Sequence, residues 1–368
     1  MAPVRIVQVG AGGMGRQWIA AIARSVDTQL VALVDLDLKV AAEALAEAQL
    51  SGVRIGKSLE QVLAAVEADA VVNVTIPEAH HPINVDALFR GLPVLCEKPI
   101  APTLSQALSL AAASEVSGQL LMTSQSRRYF NNLAALKRGL ASLGDIGILS
   151  TEFYKAPHFG GFRDQMQHVL LVDMAIHAFD VARFLLERDP VSVYCEEFNP
   201  TWSWYAHGAA ANAVFEFDGG ARYSYSGSWC SDGHETSWNG HWRINGESGS
   251  ALWDGENPPA FELAENSTNG DQSVSRDAAQ PEEINGSLAE FVASLRTGEV
   301  PSGEVHSNIL SLAMVEAAVR SADTGQRVLI DDMINEAYGT ALEHEAIPSV
   351  ADAMRAWSHP RAVLGQSG

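Results

Sequence analysis

The sequence predicts an α/β fold for its first third, a parallel sheet wound with helices, followed by an α+β domain on a mostly antiparallel sheet. Three observations carry this. Up to about residue 125, short apolar runs alternate with helical patterns, as βαβ units require. A glycine-rich turn joins the first apolar run to the first helical pattern. Beyond residue 125 the strand-like runs become longer and aromatic, and Gly-rich hairpin signals separate them. The expected domains are therefore 1–125 and 126–368.

The elements follow in order. "RIVQVG" is β-branched and ends on Gly10; a helical pattern runs from Met14 to Arg24, and "LVALVD" is the second strand. An Ala-rich helix ("VAAEALAEAQL"), the strand "AVVNVTIP", a helix around "HPINVDALFRG" and the strand "LPVLCEK" come next. "TLSQALSLAAASEVSG" and "QLLMTSQ" add a further helix and strand. The second domain offers "ILSTEFYKA", "VSVYCEEF", "AAANAVFEFDGG", "ARYSYSGSWC", "HWRINGESGS" and "ALWDG" as strands. Helices are expected at 164–187, 286–297 and 305–324. Residues 256–285 are polar and rich in Pro, Asn and Ser, and read as a surface excursion. Beyond Asp332 the periodicity is too weak to place an element.

With 368 residues, 47% of them hydrophobic and 19% charged, the chain suits a two-domain globular protein. Its 24 basic and 45 acidic residues give a net charge of −21. That field repels phosphate backbones and excludes nucleic acid as an expected partner. Cys96, Cys195 and Cys230 are odd in number, far apart and without a CxxC, so they read as reduced thiols with no zinc site. "MAPVRIVQVG" enters a strand at once, with no room for a signal peptide's apolar core, and no run approaches a membrane span. A cytoplasmic protein with no membrane partner is expected.

Gly10-Ala11-Gly12-Gly13-Met14-Gly15 fits G-x-G-x-x-G in the strand-to-helix context that gives the pattern its meaning. Gly10 permits the tight turn, Gly12 lets a pyrophosphate approach the backbone, and Gly15 lets helix and strand pack closely. The helix N-terminus then offers its N–H groups to the pyrophosphate. Asp35 ends the second strand about twenty residues on, where an acid that binds the ribose hydroxyls belongs. Its carboxylate repels a 2′-phosphate, Asp37 adds to that charge, and the nearest cation is Lys39. NAD is expected, in preference to NADP.

"LCEKPI" ends a strand of the parallel sheet, and ligands bind outside the carboxyl ends of such strands. Lys98 is thereby placed on the cofactor's side, although a solvated surface lysine fits the position equally well. In "LVDMAIHAFDVARFLL", Asp173, His177 and Asp180 are spaced four and three apart and share one helical face. A histidine with a carboxylate one turn away suits general acid–base work. A structural His–Asp pair has the same spacing, and the residues alone leave both readings open.

The combination resembles the Gfo/Idh/MocA family, named for glucose–fructose oxidoreductase, inositol dehydrogenase and a rhizopine-catabolism protein. G-x-G-x-x-G, "TIPEAHH", "EKP", "SRRYF", "LGDIG" and D-x-x-x-H-x-x-D carry the resemblance over nearly the whole chain. It implies a Rossmann domain and a second domain with a large, open-faced sheet that mediates homodimers or homotetramers. It also implies hydride transfer between NAD and a secondary alcohol of a sugar, inositol or glycoside. Lys98, Asp173 and His177 become catalytic candidates: His177 would take the hydroxyl proton, Lys98 would stabilise the oxygen, and Asp173 would orient His177 or bind a neighbouring hydroxyl. Thr75, Ile76, Pro77, His80, Glu97, Lys98 and Arg128 join the glycine loop, with Gly13 and Met14, around the cofactor. Asp180 is assigned a structural place, and the Lys98–Pro99 bond is expected cis.

His168 and Leu170 stand where many members carry glycines, so the pocket wall is expected to differ. Six of the eight tryptophans fall between residues 202 and 253. Flat rings among Tyr, His, Asn and Ser suit a sugar's C–H faces and hydroxyls; they suit sheet packing or an oligomer interface as well. Two rival functions share the fold: a glycosidase that oxidises transiently with bound NAD, and a non-catalytic NAD-binding regulator.

Overall fold

The computed structural model describes residues 2–265 and 279–365. They form two compact units, one of Met1–Ser126, Pro281–Ile309 and Glu336–Leu364, the other chiefly of Arg127–Gln280 and Leu310–Asn335. Residues 281–309 and 336–364 thus cluster with the N-terminal unit, although they follow the second sheet in sequence. No described helix is long and apolar enough to cross a membrane.

The first unit begins with β1 (Val4–Val9), α1 (Gly13–Arg24), β2 (Thr28–Val34), α2 (Leu38–Glu47), β3 (Arg54–Gly56) and α3 (Leu59–Leu63). It continues with β4 (Ala70–Asn73), α4 (Pro77–Phe89), β5 (Val94–Glu97), α5 (Leu104–Ser117) and β6 (Leu121–Ser124). All pairs are parallel, in the order β3-β2-β1-β4-β5-β6. Short side chains with hydrogen-bonding oxygens start α2, α3 and α5: Asp37 accepts from the N–H groups of Lys39 and Val40, Ser58 from Gln61 and Thr103 from Gln106. The chain order reverses between β1 and β4, the switch point where such sheets bind ligands.

The second unit opens with α6 (Asn131–Gly139) and β7 (Ile146–Tyr154). A π-helical turn over Leu170–Ala175 leads into α7 (Ile176–Leu186), followed by β8 (Pro190–Phe198), β9 (Ala210–Phe217) and β10 (Arg222–Ser228). Then come β11 (His241–Gly246), β12 (Gly249–Trp253) and β13 (Ala260–Leu263). Helix α8 (Glu283–Thr297) precedes α9 (Val305–Thr324), β14 (Val328–Leu329), α10 (Ile330–His344) and α11 (Pro348–Ala356). The second sheet runs β13-β12-β11-β7-β10-β9-β8-β14, antiparallel throughout the described residues except for β7 with β10. One of its faces packs on α7, where the Phe179 ring meets Phe215 edge-on at 4.7 Å and Tyr225 at 5.4 Å.

Strand β13 corrects the expected surface excursion. Its short Ala260–Leu263 alternation follows two prolines, and it pairs with β12. Phe261 lies against Gly139, where a Cβ would come within 2.1 Å of the ring. The core of that excursion, 266–278, lies outside the described residues.

Helices α10 and α11 occupy the stretch without legible periodicity. Val350, Ala351 and Met354 are buried, and α11 packs on α5. A polar cluster ties α5 to the start of α9 and to Trp357 at the end of α11. His306 lies with Nδ1 2.6 Å from Glu304 and Nε2 2.9 Å from Glu115, and the Trp357 indole N–H donates to Glu115. Burial works against a charged His306, but the two carboxylates outweigh it and raise its pKa. A pKa raised on folding adds stability that is complete below the unfolded value near 6.5 and fades as pH rises through the folded one. The melting temperature should therefore fall between about pH 6.5 and the raised value, and His306→Gln should flatten that slope. Identical wild-type and variant profiles would remove the histidine from the account.

Candidate functional site

In the first unit the glycine loop separates into two kinds of position. Gly10 has φ +100°, and a Cβ on it would stand 2.5 Å from Val74 O; a Cβ on Gly15 would stand 2.4 Å from Gly10 O. Those two glycines are demanded by the protein's own packing. A Cβ on Gly12 or Gly13 would meet nothing within 4 Å. The surface there is bare backbone at the start of α1, whose N-cap has no side-chain hydrogen bond. That is the surface a pyrophosphate needs.

Asp35 sits beyond β2 with Oδ2 accepting from the Ala11 N–H at 2.8 Å and Oδ1 from the Asp37 N–H at 2.9 Å. The acid is thus locked to the glycine loop. Met14 follows on the first turn of α1, 38% exposed. Two residues outside the motif brace this corner. Buried Gln8 donates from Nε2 to the carbonyls of Gly10 and Gly15 at 2.7 and 2.8 Å. Buried Asn73 accepts from the Thr75 hydroxyl at 2.8 Å and donates to Asn84 at 2.8 Å, which holds the Thr75–Ile76–Pro77 turn. A polar side chain inside an apolar strand was the available signal for both.

His80 is 1% exposed, with Nδ1 2.7 Å from Pro99 O and Nε2 3.1 Å from Thr75 O. Burial holds its pKa below the ordinary value, against the pull of those carbonyls. It ties the Thr75 turn to the Lys98–Pro99 peptide, which is cis. Glu97 accepts from the Trp18 indole N–H at 2.8 Å and from the Lys98 N–H at 3.1 Å. Burial pushes its carboxyl above the usual range, opposed by Trp18 and by the charge of Lys98. Lys98 itself is half-buried at the end of β5.

In the second unit, Asp173 falls in the π-helical turn and His177 in the first turn of α7. A π turn widens the helix, and such turns gather at functional sites. Both residues are half-buried. Asp173 Oδ2 accepts from Arg163 Nε at 2.7 Å, and the Arg163 guanidinium lies over the rings of Phe159 and Phe162. No motif pointed to Arg163. His177 lines a cavity of about 20 Å³ with Trp238, Trp242 and Trp253, a space fit for one water. Asp180 does not share that role. It is 1% exposed and receives Arg128 Nε and Nη2 at 2.7 and 2.6 Å and the Ser311 hydroxyl at 2.7 Å.

Arg128, expected beside the cofactor, is thus buried with its guanidinium forked onto Asp180. His168 stands at φ +52°, the left-handed region, with Nδ1 2.6 Å from Glu197. That hydrogen bond raises its pKa despite burial. The tryptophans divide. Trp229, Trp242 and Trp253 are buried core, and Trp242 stacks on Tyr223 at 6.1 Å. Trp202 and Trp238 are 69% and 39% exposed, and Trp204 stacks on His158 at 3.6 Å. Among the described residues no group of three His, Cys, Asp or Glu side chains is placed to hold a metal ion.

Comparison with known proteins agrees with the geometry. Residues 4–125 match the oxidoreductase family described as having an NAD-binding Rossmann fold, and residues 142–252 match the GFO/IDH/MocA C-terminal domain. The chain belongs to the Gfo/Idh/MocA family. Inositol 2-dehydrogenase 4 of Saccharopolyspora erythraea is 34% identical over 52% of this chain and 56% of its own. The 1,5-anhydro-D-fructose reductase of Ensifer adhaerens is 26% identical over 88% of this chain and 97% of its own. An Agrobacterium radiobacter oxidoreductase solved with NAD+, L-tartaric acid and magnesium shares the fold: TM-score 0.78 at 20% identity, covering 90% of this chain and 99% of that one. As a member of this family the chain carries an NAD-binding Rossmann domain, and the open backbone at Gly12 and Gly13 fits that cofactor.

Asp35→Ala should weaken NAD binding about tenfold or more, the loss of charge-assisted hydrogen bonds. The same change should narrow the preference over NADP, since the carboxylate no longer repels a 2′-phosphate. Titration with both cofactors tests this; unchanged affinities would remove Asp35 from the site.

Proposed function

We propose that this oxidoreductase transfers a hydride between NAD and a secondary alcohol of a sugar, inositol or glycoside. The observation that carries the reading is the bare Gly12–Gly13 backbone with Asp35 locked beside it; Lys98, Asp173 and His177 supply the chemistry. Relatives named as an inositol 2-dehydrogenase and a 1,5-anhydro-D-fructose reductase support a polyol or sugar substrate. Bound NAD supplies the hydride acceptor or donor.

His177 takes the hydroxyl proton during oxidation and returns it during reduction, the general acid–base work to which an imidazole is suited. Lys98 hydrogen-bonds the same oxygen and stabilises the negative charge that grows on it. Asp173, anchored by Arg163, orients His177 or binds a neighbouring hydroxyl. Thr75, Ile76, Pro77, His80 and Glu97 shape the cofactor side.

The proposal extends to assembly. Ile148, Tyr194, Val214 and Leu252 stand 58%, 42%, 48% and 49% exposed on the second sheet, and a homodimer or homotetramer would cover such a surface. Incubation with NAD and a panel of inositols, sugars and glycosides tests the function. Reduced cofactor should form in proportion to ketone. Free sugar without net reduced cofactor would mark a transiently oxidising glycosidase. Cofactor binding with no product at all would mark a regulator.

A further inference from the structure

The first unit carries a second concavity, formed by α4, the start of α5 and the chain from Thr340 to Ile347. It is a groove of about 780 Å³, within the range of roughly 300–1,000 Å³ typical of small-molecule sites. Pro82, Val85, Phe89 and Ile347 make its walls mostly apolar, and the Phe89 ring is 44% exposed.

The floor is polar and ordered. His81 Nε2 lies 3.0 Å from the Ser109 hydroxyl oxygen, and that hydroxyl donates to Glu345 Oε2. Serine has one hydroxyl proton, so its oxygen accepts from His81 Nε2–H. Burial lowers the His81 pKa against the pull of Glu345. The other oxygen of Glu345 accepts from the Ile347 N–H at 2.8 Å. Ser109 is 5% exposed, so this relay is built into the fold.

The charge of the groove follows. No lysine or arginine lines it. Asp86 is neutralised by Arg90 at 2.8 Å, whereas the polar contacts of Glu345 are to a serine and a backbone N–H, with no ion pair to either basic residue type among the described residues. One carboxylate without a lysine or arginine partner, at the end of an apolar trough, calls for an apolar body with a positive head.

We infer that this groove binds a small organic ammonium compound, its apolar body against Val85 and Phe89 and its charged head on Glu345. The inference does not depend on the substrate proposed above, and it gives α10 and the turn after it a function.

Calorimetric titration of the full chain with phenethylamine tests it, with 2-phenylethanol and 3-phenylpropionate as the neutral and anionic counterparts. Phenethylamine should bind at one site, and the alcohol and acid should bind at least about tenfold more weakly. Val85→Trp should fill the trough and abolish binding. Glu345→Gln keeps the shape and an acceptor for Ser109, and should weaken binding by about tenfold or more. It keeps the test open if the tryptophan variant fails to fold. Absent amine binding, equal binding of all three probes, or binding unaffected by a folded variant would overturn the proposal.

Discussion

Replacing Lys98 with alanine is expected to lower turnover by about a hundredfold or more while NAD still binds. Removing one well-placed donor from an oxygen that gains charge costs about 3 kcal/mol of transition-state stabilisation, which is a factor of roughly a hundred in rate. His177→Ala should produce a loss of similar size, because the proton then has no acceptor at the alcohol oxygen. The two losses should not multiply in the double variant if both groups serve one oxygen. Steady-state rates on a substrate found with the panel, beside cofactor titration, measure both terms. Turnover within a few-fold of wild type would show that these side chains are not the catalytic pair.

Asp180→Ala should destabilise the second unit by about 3–5 kcal/mol, because it strands a buried guanidinium. Arg128 and Asp180 are 7% and 1% exposed, and Ser311 adds a hydrogen bond to the same carboxylate. Arg183 reaches Ser311 at 3.0 Å, so the loss should spread into α9. Replacing both partners together, Arg128→Met with Asp180→Leu, should recover most of the stability, since an apolar pair of like volume avoids the desolvation. Denaturant unfolding of the three proteins decides it. A change below about 1 kcal/mol in the single variant would place the pair in water.

The contrast between Asp173, His177 and Asp180 shows where residue spacing stopped being informative. Spacing of four and three puts all three on one face of a regular helix, yet the chain enters α7 through a π turn. Asp180 is then enclosed with Arg128, and Asp173 turns to Arg163. The resemblance placed Arg128 beside the cofactor and no motif pointed to Arg163, because a cation that serves a buried carboxylate has the same side chain as one that grips a phosphate. The tryptophans divided for a similar reason. Composition registers aromatic rings, whereas burial of Trp229, Trp242 and Trp253 depends on which face of the sheet meets α7.

By itself the sequence determined the parallel sheet, the glycine loop, the acid that follows it and the family, because each shows as a pattern of residue types at short spacings. Gly10 and Gly15 collide with neighbours a few residues away or on the adjoining strand, and such constraints leave a fixed pattern. Only the tertiary structure decided that Arg128 is spent on Asp180, that Arg163 holds Asp173, that Ala260–Leu263 joins the sheet as β13, and that the final helix, α11, packs on α5. Helix α11 and the Trp357 that follows it are stabilised by distant partners, Glu115 and the surface of α5. Burial against a remote element imposes no local period, so those pairings become visible only when the chain is folded.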